Sequence, residues 1–333
     1  MKMIARDFAA AFLLGFALPM FLLGAAVRNF GQEEGEAART EAQPEQAFAD
    51  SGNHIWLMRG EYLECMDLDT YLVGVVLAEM PAAFEPEALK AQAVASRTYA
   101  RKAWETGGKH GDGSVCTDPS CCQAYVDPEE YIRRGGTPQG VEKVKAAVED
   151  TAGLVLKYGD SLIEATYFSC SGGQTEAAVE VWGTEYPYLQ SVLSPGEESA
   201  AHYEDTVIFT LEEFASLLDI HTEEEPDSWI KLVEYTQAGT VRKLVVVDRV
   251  FTGTQLRALL DLPSAAFELE LTESGFRITT RGYGHRVGMS QYGAEAMAVS
   301  GNAFQKILAH YYPETELVKL KPDERVLYYP RKD

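Results

Sequence analysis

Positive charge is scarce in this sequence. Its 333 residues carry 29 Lys and Arg against 51 Asp and Glu, a net charge of −22. A chain this acidic has little electrostatic footing on nucleic acid or anionic lipid. A neutral polymer, or one recognised through hydrogen bonds, suits it better. Cysteine is sparse and odd in number, with Cys65, Cys116, Cys121, Cys122 and Cys170. Five thiols make a poor disulfide framework for an exported chain. No H-E-x-x-H pair is present, which leaves little footing for a zinc amidase or peptidase. There is no convincing tandem repeat. What is present is apolar: 46% of residues are hydrophobic and 11% aromatic, enough for a sizeable core and one or two domains.

Residues 8–27 (FAAAFLLGFALPMFLLGAAV) contain no charge and follow Lys2 and Arg6. Twenty such residues span a bilayer, and the preceding charges keep residues 1–7 cytoplasmic. A cleaved signal peptide is the rival reading, since LGAA offers small residues for cleavage. Its apolar core would be unusually long, which favours an uncleaved, single-pass anchor. Either way the rest of the chain is exported. Residues 28–51, rich in Glu, Ala and Gln, read as a disordered acidic linker. Residues 52–333 are then the functional region.

Within that region, residues 54–67 alternate as one strand or a hairpin. The stretch YLVGVVLAEMP at 71–81 predicts a helix with Asp69 as its N-cap. Pro81 stops the helix near Met80. Leu72, Val75, Val76 and Glu79 share one face. On that face, burial and the negative end of the helix both hold Glu79 toward its neutral form. A carboxyl neutral near pH 7 is a general acid. The bland alternative is a carboxylate that caps the seam and points to solvent. A second helix begins at Pro86 and ends at Gly107–Gly108. It carries Arg97, expected to pair somewhere other than Glu79. Residues 138–151 read as helix, and 154–170 as strands around a turn at 157–160. In 208–262 an amphipathic helix precedes a strand and a further helix, the pattern of a lobe at about 205–270. Residues 267–280 look like a strand pair, before a glycine-rich turn that enters a helix. The predicted class is α+β: mixed helices and antiparallel strands with a smaller inserted α/β lobe, preceded by a transmembrane helix.

Three constellations stand out. The loop holding His110, Cys116, Cys121 and Cys122 offers nitrogen and sulfur ligands suited to zinc. A Cys116–Cys122 or Cys116–Cys121 disulfide competes with that reading, and adjacent Cys121 and Cys122 do not easily serve one ion. YFSCSGGQTE (167–176) combines small hydroxyls with paired glycines that let a ligand approach the backbone. GYGHRVGMSQYGAEAM (282–297) places His285 and Gln291 in a turn before a helix. Tyr167, Ser169, Ser171, Gln174, His285 and Gln291 are the candidate substrate contacts.

These three blocks, YLVGVVLAEMPAAFEPEALKAQAVASRTYA, YFSCSGGQTE…VWG…PYLQSVLSPGEE and GYGHRVGMSQYGAEAMA, resemble the SpoIID family, the stage II sporulation protein D of endospore formers. The likeness runs from the N-terminus to about residue 313. It implies a membrane-anchored lytic transglycosylase of peptidoglycan. Such an enzyme cleaves the bond between N-acetylmuramic acid and N-acetylglucosamine, giving 1,6-anhydro ends on peptide-stripped strands during spore engulfment. It implies Glu79 as the acid, and zinc on His110, Cys116 and Cys122, with Cys121 where a His can occur. It further implies a sporulation amidase and a membrane scaffold protein as partners, at the mother-cell membrane facing the forespore. The alternative is a non-catalytic wall-binding module that stimulates an amidase. Two positions depart from the pattern. Arg286 replaces a glycine, so that either the turn is adjusted or Arg286 meets the glycan; and Cys170, expected as a buried thiol, stands where Thr or Ser is common.

Overall fold

The computed structural model describes residues 53–320. The predicted anchor at 8–27 and linker at 28–51 lie outside the described residues. No helix among the described residues is long and apolar enough to cross a membrane.

The chain enters through an antiparallel hairpin of β1 (His54–Arg59) and β2 (Tyr62–Asp67), turning at Gly60. Helix α1 (Leu68–Glu79) follows at once. Its N-cap is Asp67, whose carboxylate accepts from the Thr70 N–H at 2.8 Å, and not Asp69 as the sequence reading had it. Asp69 sits in the first turn instead, where it receives the guanidinium of Arg97 at 3.0 Å. Pro81 does end the helix: Met80 is extended, with φ −126° and ψ 144°. Every residue from Tyr71 to Leu77 is buried, so α1 is wrapped on all sides and does not merely rest one stripe on a core.

Helix α2 (Pro86–Thr106) stops at the left-handed Gly107. After it come β3 (Val115–Cys116), α3 (Pro128–Arg133), α4 (Pro138–Asp150), β4 (Leu154–Tyr158), β5 (Ser161–Leu162), β6 (Tyr167–Phe168) and α5 (Ala178–Trp182). Arg97, almost wholly buried, also donates to the Val148 carbonyl at 3.1 Å, tying α2 to the end of α4. The next stretch holds β7 (Glu204–Phe209), α6 (Leu211–Leu217), β8 (Ile230–Tyr235), β9 (Val241–Val246), β10 (Arg249–Phe251), α7 (Gly253–Leu259), β11 (Phe267–Thr272) and β12 (Gly275–Arg281). Where the sequence suggested a single strand before α7, β9 and β10 form a hairpin. The chain closes with β13 (Met289–Ser290), α8 (Gln291–Val299), α9 (Phe304–Tyr311) and β14 (Glu316–Lys319).

Most sheets are antiparallel; the short pairs β1–β3 and β6–β13 are parallel. One hydrophobic core gathers α1, α2, α4, α8 and α9. A second gathers Phe214, Trp229, Leu244, Leu256, Phe276 and their neighbours from β7–β12. Arg286 joins the two regions. It has a positive φ (65°) and is buried. Its guanidinium donates to the carbonyls of Ser171, Gln174 and Ala238 and to Thr240 Oγ1, all within 3.0 Å. Arg286 is therefore spent inside the protein rather than on a glycan.

Gly74 lets the loop after Cys122 lie against α1. A Cβ there would stand 2.4 Å from the Tyr125 ring and 2.8 Å from the Val126 carbonyl. Gly74→Ala would gain about 1 kcal/mol of helix propensity. The overpacking outweighs it, and the variant is expected to lose about 1–3 kcal/mol, read as a lower Tm in thermal denaturation. A raised Tm would show that this contact is not tight.

Candidate active site

Glu79 is the last residue of α1, partly buried, with its carboxyl turned toward three other segments. Oε1 accepts the Ala124 N–H at 2.8 Å, and Oε2 accepts Gln291 Nε2 at 3.4 Å. The hydroxyl of Tyr167 also favours the ionised form. Burial opposes all three and prevails, holding the carboxyl above its usual value near 4.5. Those are the influences on Glu79, and no second carboxylate is among them.

Each neighbour has a local reason to be there. Parallel pairing sets Tyr167 beside Met289 and Phe168 beside Ser290, so Tyr167 on β6 lies close to Gln291, the first residue of α8 after β13. Ser290 caps α8 by accepting the Gly293 N–H at 3.2 Å, which fixes Gln291 in the first turn. Ala124 belongs to a segment clamped by the first hairpin. Arg59 grips Asp127 with two hydrogen bonds (2.7 and 2.9 Å) and lies 4.6 Å from the Tyr125 ring centre.

Just before Ala124 is the thiol loop. The ligand atoms of His110, Cys116, Cys121 and Cys122 all lie within 4.8 Å of one another. His110 Nε2 is 3.4 Å from Cys122 Sγ and 3.8 Å from Cys121 Sγ, and the two sulfurs are 3.9 Å apart. Tetrahedral zinc needs ligand–ligand edges of about 3.6–3.8 Å, so the donor set fits the ion in type, and His110, Cys121 and Cys122 are close to it in spacing. Adjacent Cys121 and Cys122, which the sequence reading held not to serve one ion easily, have their sulfurs on the same side of the loop. The turn closed by the N–H groups of both residues on the Asp118 carbonyl brings the two side chains together. None of the four cysteines in described loops and strands outside the core is in a disulfide, nor is Cys170. Burial and neighbouring thiols push Cys121 up to about 11, and burial raises Cys122 as well. Thiols so crowded ionise only against a cation.

The other sequence candidates are placed elsewhere. Ser171 is fully buried and donates to Glu197 Oε2 at 2.7 Å, so it is not available to a sugar. The glycine-rich turn cradles that internal carboxylate: the N–H groups of Ser171, Gly172 and Gly173 all point to Glu197 Oε2, and Ser194 holds Oε1 at 2.6 Å. The Cys170 thiol is buried against the same oxygen. Ser169 uses its carbonyl to accept the Tyr292 N–H and Ser290 Oγ. Gln174 donates to Ser191 and borders a cavity of about 680 Å³ with Tyr235, Gln237, Glu268 and Arg281. His285 packs between Phe168 and Trp182, and burial lowers it to about 4, so the ring is neutral.

Sequence reading missed Gln123. It is buried between the thiol loop and Ala124, accepts from the Tyr71 hydroxyl at 3.0 Å and donates to the Tyr167 oxygen at 2.7 Å. The signal available was a polar amide next to a candidate ligand cysteine, too common to single out.

A family model for Stage II sporulation protein matches residues 60–158. The Stage II sporulation protein D of Bacillus subtilis (strain 168) is 36% identical over 267 residues, 79% of this chain and 78% of that protein. That of Bacillus amyloliquefaciens is 34% identical over 301 residues, covering 88% and 87%. An amidase enhancer of Bacillus subtilis (strain 168) is 31% identical over 299 residues, 74% of this chain and 40% of that protein. On the identity and coverage of these relatives, the chain belongs to the stage II sporulation protein D family.

Proposed function

We propose that this protein is a lytic transglycosylase that cleaves the bond between N-acetylmuramic acid and N-acetylglucosamine in peptide-stripped glycan strands during engulfment. One observation carries the reading: a single carboxyl, raised by burial, faces hydrogen-bond donors that stabilise its anion. In the first step protonated Glu79 gives its proton to the leaving glycosidic oxygen. The Ala124 N–H, Gln291 and Tyr167 then hold the carboxylate that results. In the second step that carboxylate takes the proton of the muramic C6 hydroxyl as its oxygen closes on C1, and the acid is regenerated. A retaining hydrolase would need a second carboxyl at about 5–5.5 Å, and none perturbs Glu79. The acid form is required first, so turnover falls as pH rises through the pKa of Glu79, which lies above 4.5.

His110, Cys116, Cys121 and Cys122 would hold zinc as a closed four-ligand site, the type that fixes a loop. The chemistry supplied is charge neutralisation of the thiolates. The benefit falls on Gln123 and Ala124, which follow Cys122 directly. Residues 8–27 would anchor the protein in the mother-cell membrane, with the catalytic region facing the forespore. A sporulation amidase and a membrane scaffold protein are the proposed partners. The relative named amidase enhancer favours one second reading, a wall-binding module that stimulates an amidase without cutting glycan itself.

With the purified full-length chain and peptide-free strands, Glu79→Gln is expected to slow cleavage by about 100- to 10,000-fold while strand binding persists. Normal cleavage by the variant would remove Glu79 from this role, and a wild-type protein that binds but never cuts would favour the amidase-stimulating module. Elemental analysis is expected to find zinc bound to the wild type and lost from Cys122→Ser, with a lowered Tm after chelation. Equal metal content in both would contradict the ligand set.

A further inference from the structure

The cavity of about 680 Å³ between the glycine-rich turn and the β8–β12 region has no part in the chemistry described so far. None of the residues that line it is a neighbour of Glu79. Its volume is that of a small-ligand site, and the junction of two regions is a common place for one. The walls are fixed from inside the protein. Thr236 Oγ1 donates to the buried carboxylate of Glu176 at 2.6 Å. One nitrogen of Arg286 donates both to the Gln174 carbonyl at 2.8 Å and to the Ala238 carbonyl at 3.0 Å. These bonds pin the turn between β8 and β9 against the glycine-rich turn, so the cavity is formed before anything enters it.

The side chains around it keep hydrogen-bonding capacity in hand. Among the described residues, neither the Gln237 amide nor the Tyr235 hydroxyl makes a hydrogen bond. Gln174 uses one end of its amide on Ser191 at 2.9 Å and keeps the other. Arg281 approaches Glu204 at 3.6 Å and Glu268 at 3.8 Å, too far for a hydrogen bond. These groups also select the class of ligand. Arg281 and Glu268 stand side by side with opposite charge, and Glu176 and Glu197 balance the buried Arg286. The cavity therefore has no net pull on an anion or a cation. Two amides, a phenol, a guanidinium and a carboxylate offer donors and acceptors alike, the complement of a neutral molecule rich in hydroxyls and carrying an amide. The half-exposed Tyr235 ring adds a flat apolar face of the kind that the C–H side of a sugar ring covers. Gly239, with open space around it, leaves its backbone approachable. We propose that this cavity is a second sugar site, which takes N-acetylglucosamine units of a glycan strand and holds the strand at a distance from Glu79. The muramic acid units, each bearing a carboxylate, gain nothing from its balanced charge.

The inference rests on wall glycan as the ligand, which the cutting and the amidase-stimulating readings share, and not on cleavage by Glu79. Its test therefore reads binding alone. The full-length chain, carrying Glu79→Gln so that nothing is cut, is mixed with a linear tetramer of N-acetylglucosamine, and amide hydrogen exchange is followed by mass spectrometry. Exchange is expected to slow in the segment 235–240. Tyr235 and Gln237 are both exposed, so replacing them spares the core. In Tyr235→Ala/Gln237→Ala the slowing at 235–240 should need about tenfold more tetramer, the loss of a ring contact and a hydrogen bond. Any slowing at 123–126, beside residue 79, should be unchanged. Slowing at 123–126 with none at 235–240 would overturn the second site and leave the role of Glu79 standing. Slowing at 235–240 alone would support the second site and count against Glu79 as the catalytic centre. A response at 235–240 that the double variant leaves unchanged, or that only a peptide-bearing wall fragment produces, would overturn the proposal, as would no response in either segment.

Discussion

The structure depends on placing one carboxyl at the boundary between core and water. Glu79 can be raised only if it is drawn out of solvent, and it is drawn out because α1 is enclosed on every side. The surrounding features serve that enclosure. Gly74 admits the segment at 123–126 against the helix, and Arg59 clamps that segment from the outer hairpin. Arg97 fixes the far end of α1 through Asp69. Burial alone would give an acid that never releases its proton. The donors from three distant segments bring it back toward balance.

A second glutamate shows what a different environment makes of the same side chain. Glu197 is fully enclosed, and its Oε2 gathers backbone N–H groups from a glycine-rich turn together with Ser171 Oγ, while Ser194 holds Oε1. With no exposure and its oxygens occupied, it is an internal anchor for the loop that leads back to Tyr167. Close to it, Gly293 approaches Ser194, Glu197 and the Tyr311 hydroxyl so tightly that no side chain fits. The anchor thus sits beneath the first turn of α8, which carries Gln291, and at the end of the loop that follows Tyr167 on β6.

Much of this was legible in the residues. Pro81 and Gly107 mark real helix ends because their effects are local and steric, and Glu79 falls at the end of its helix for the same reason. The pairing of β6 with β13 was not legible, and with it the meeting of Tyr167 and Gln291, since sequence separation hides such contacts. The glycine-rich turn was misread in part. A nest of N–H groups looks the same in sequence whether it holds a ligand or the protein's own carboxylate, and Ser171 went to the latter. Arg286 was ambiguous because positive φ disfavours a side chain by only a modest amount, which four buried hydrogen bonds offset. Gln123 was invisible because its partners, Tyr71 and Tyr167, are far from it in sequence.

The central claim is that one carboxyl cuts the glycan without water. It is tested most directly by digesting peptide-free strands in H2 18O and weighing the new ends. The account predicts 1,6-anhydro ends that are one water lighter than hydrolysed ones and carry no 18O. Reducing ends labelled with 18O would contradict it and would require a second catalytic group beside Glu79.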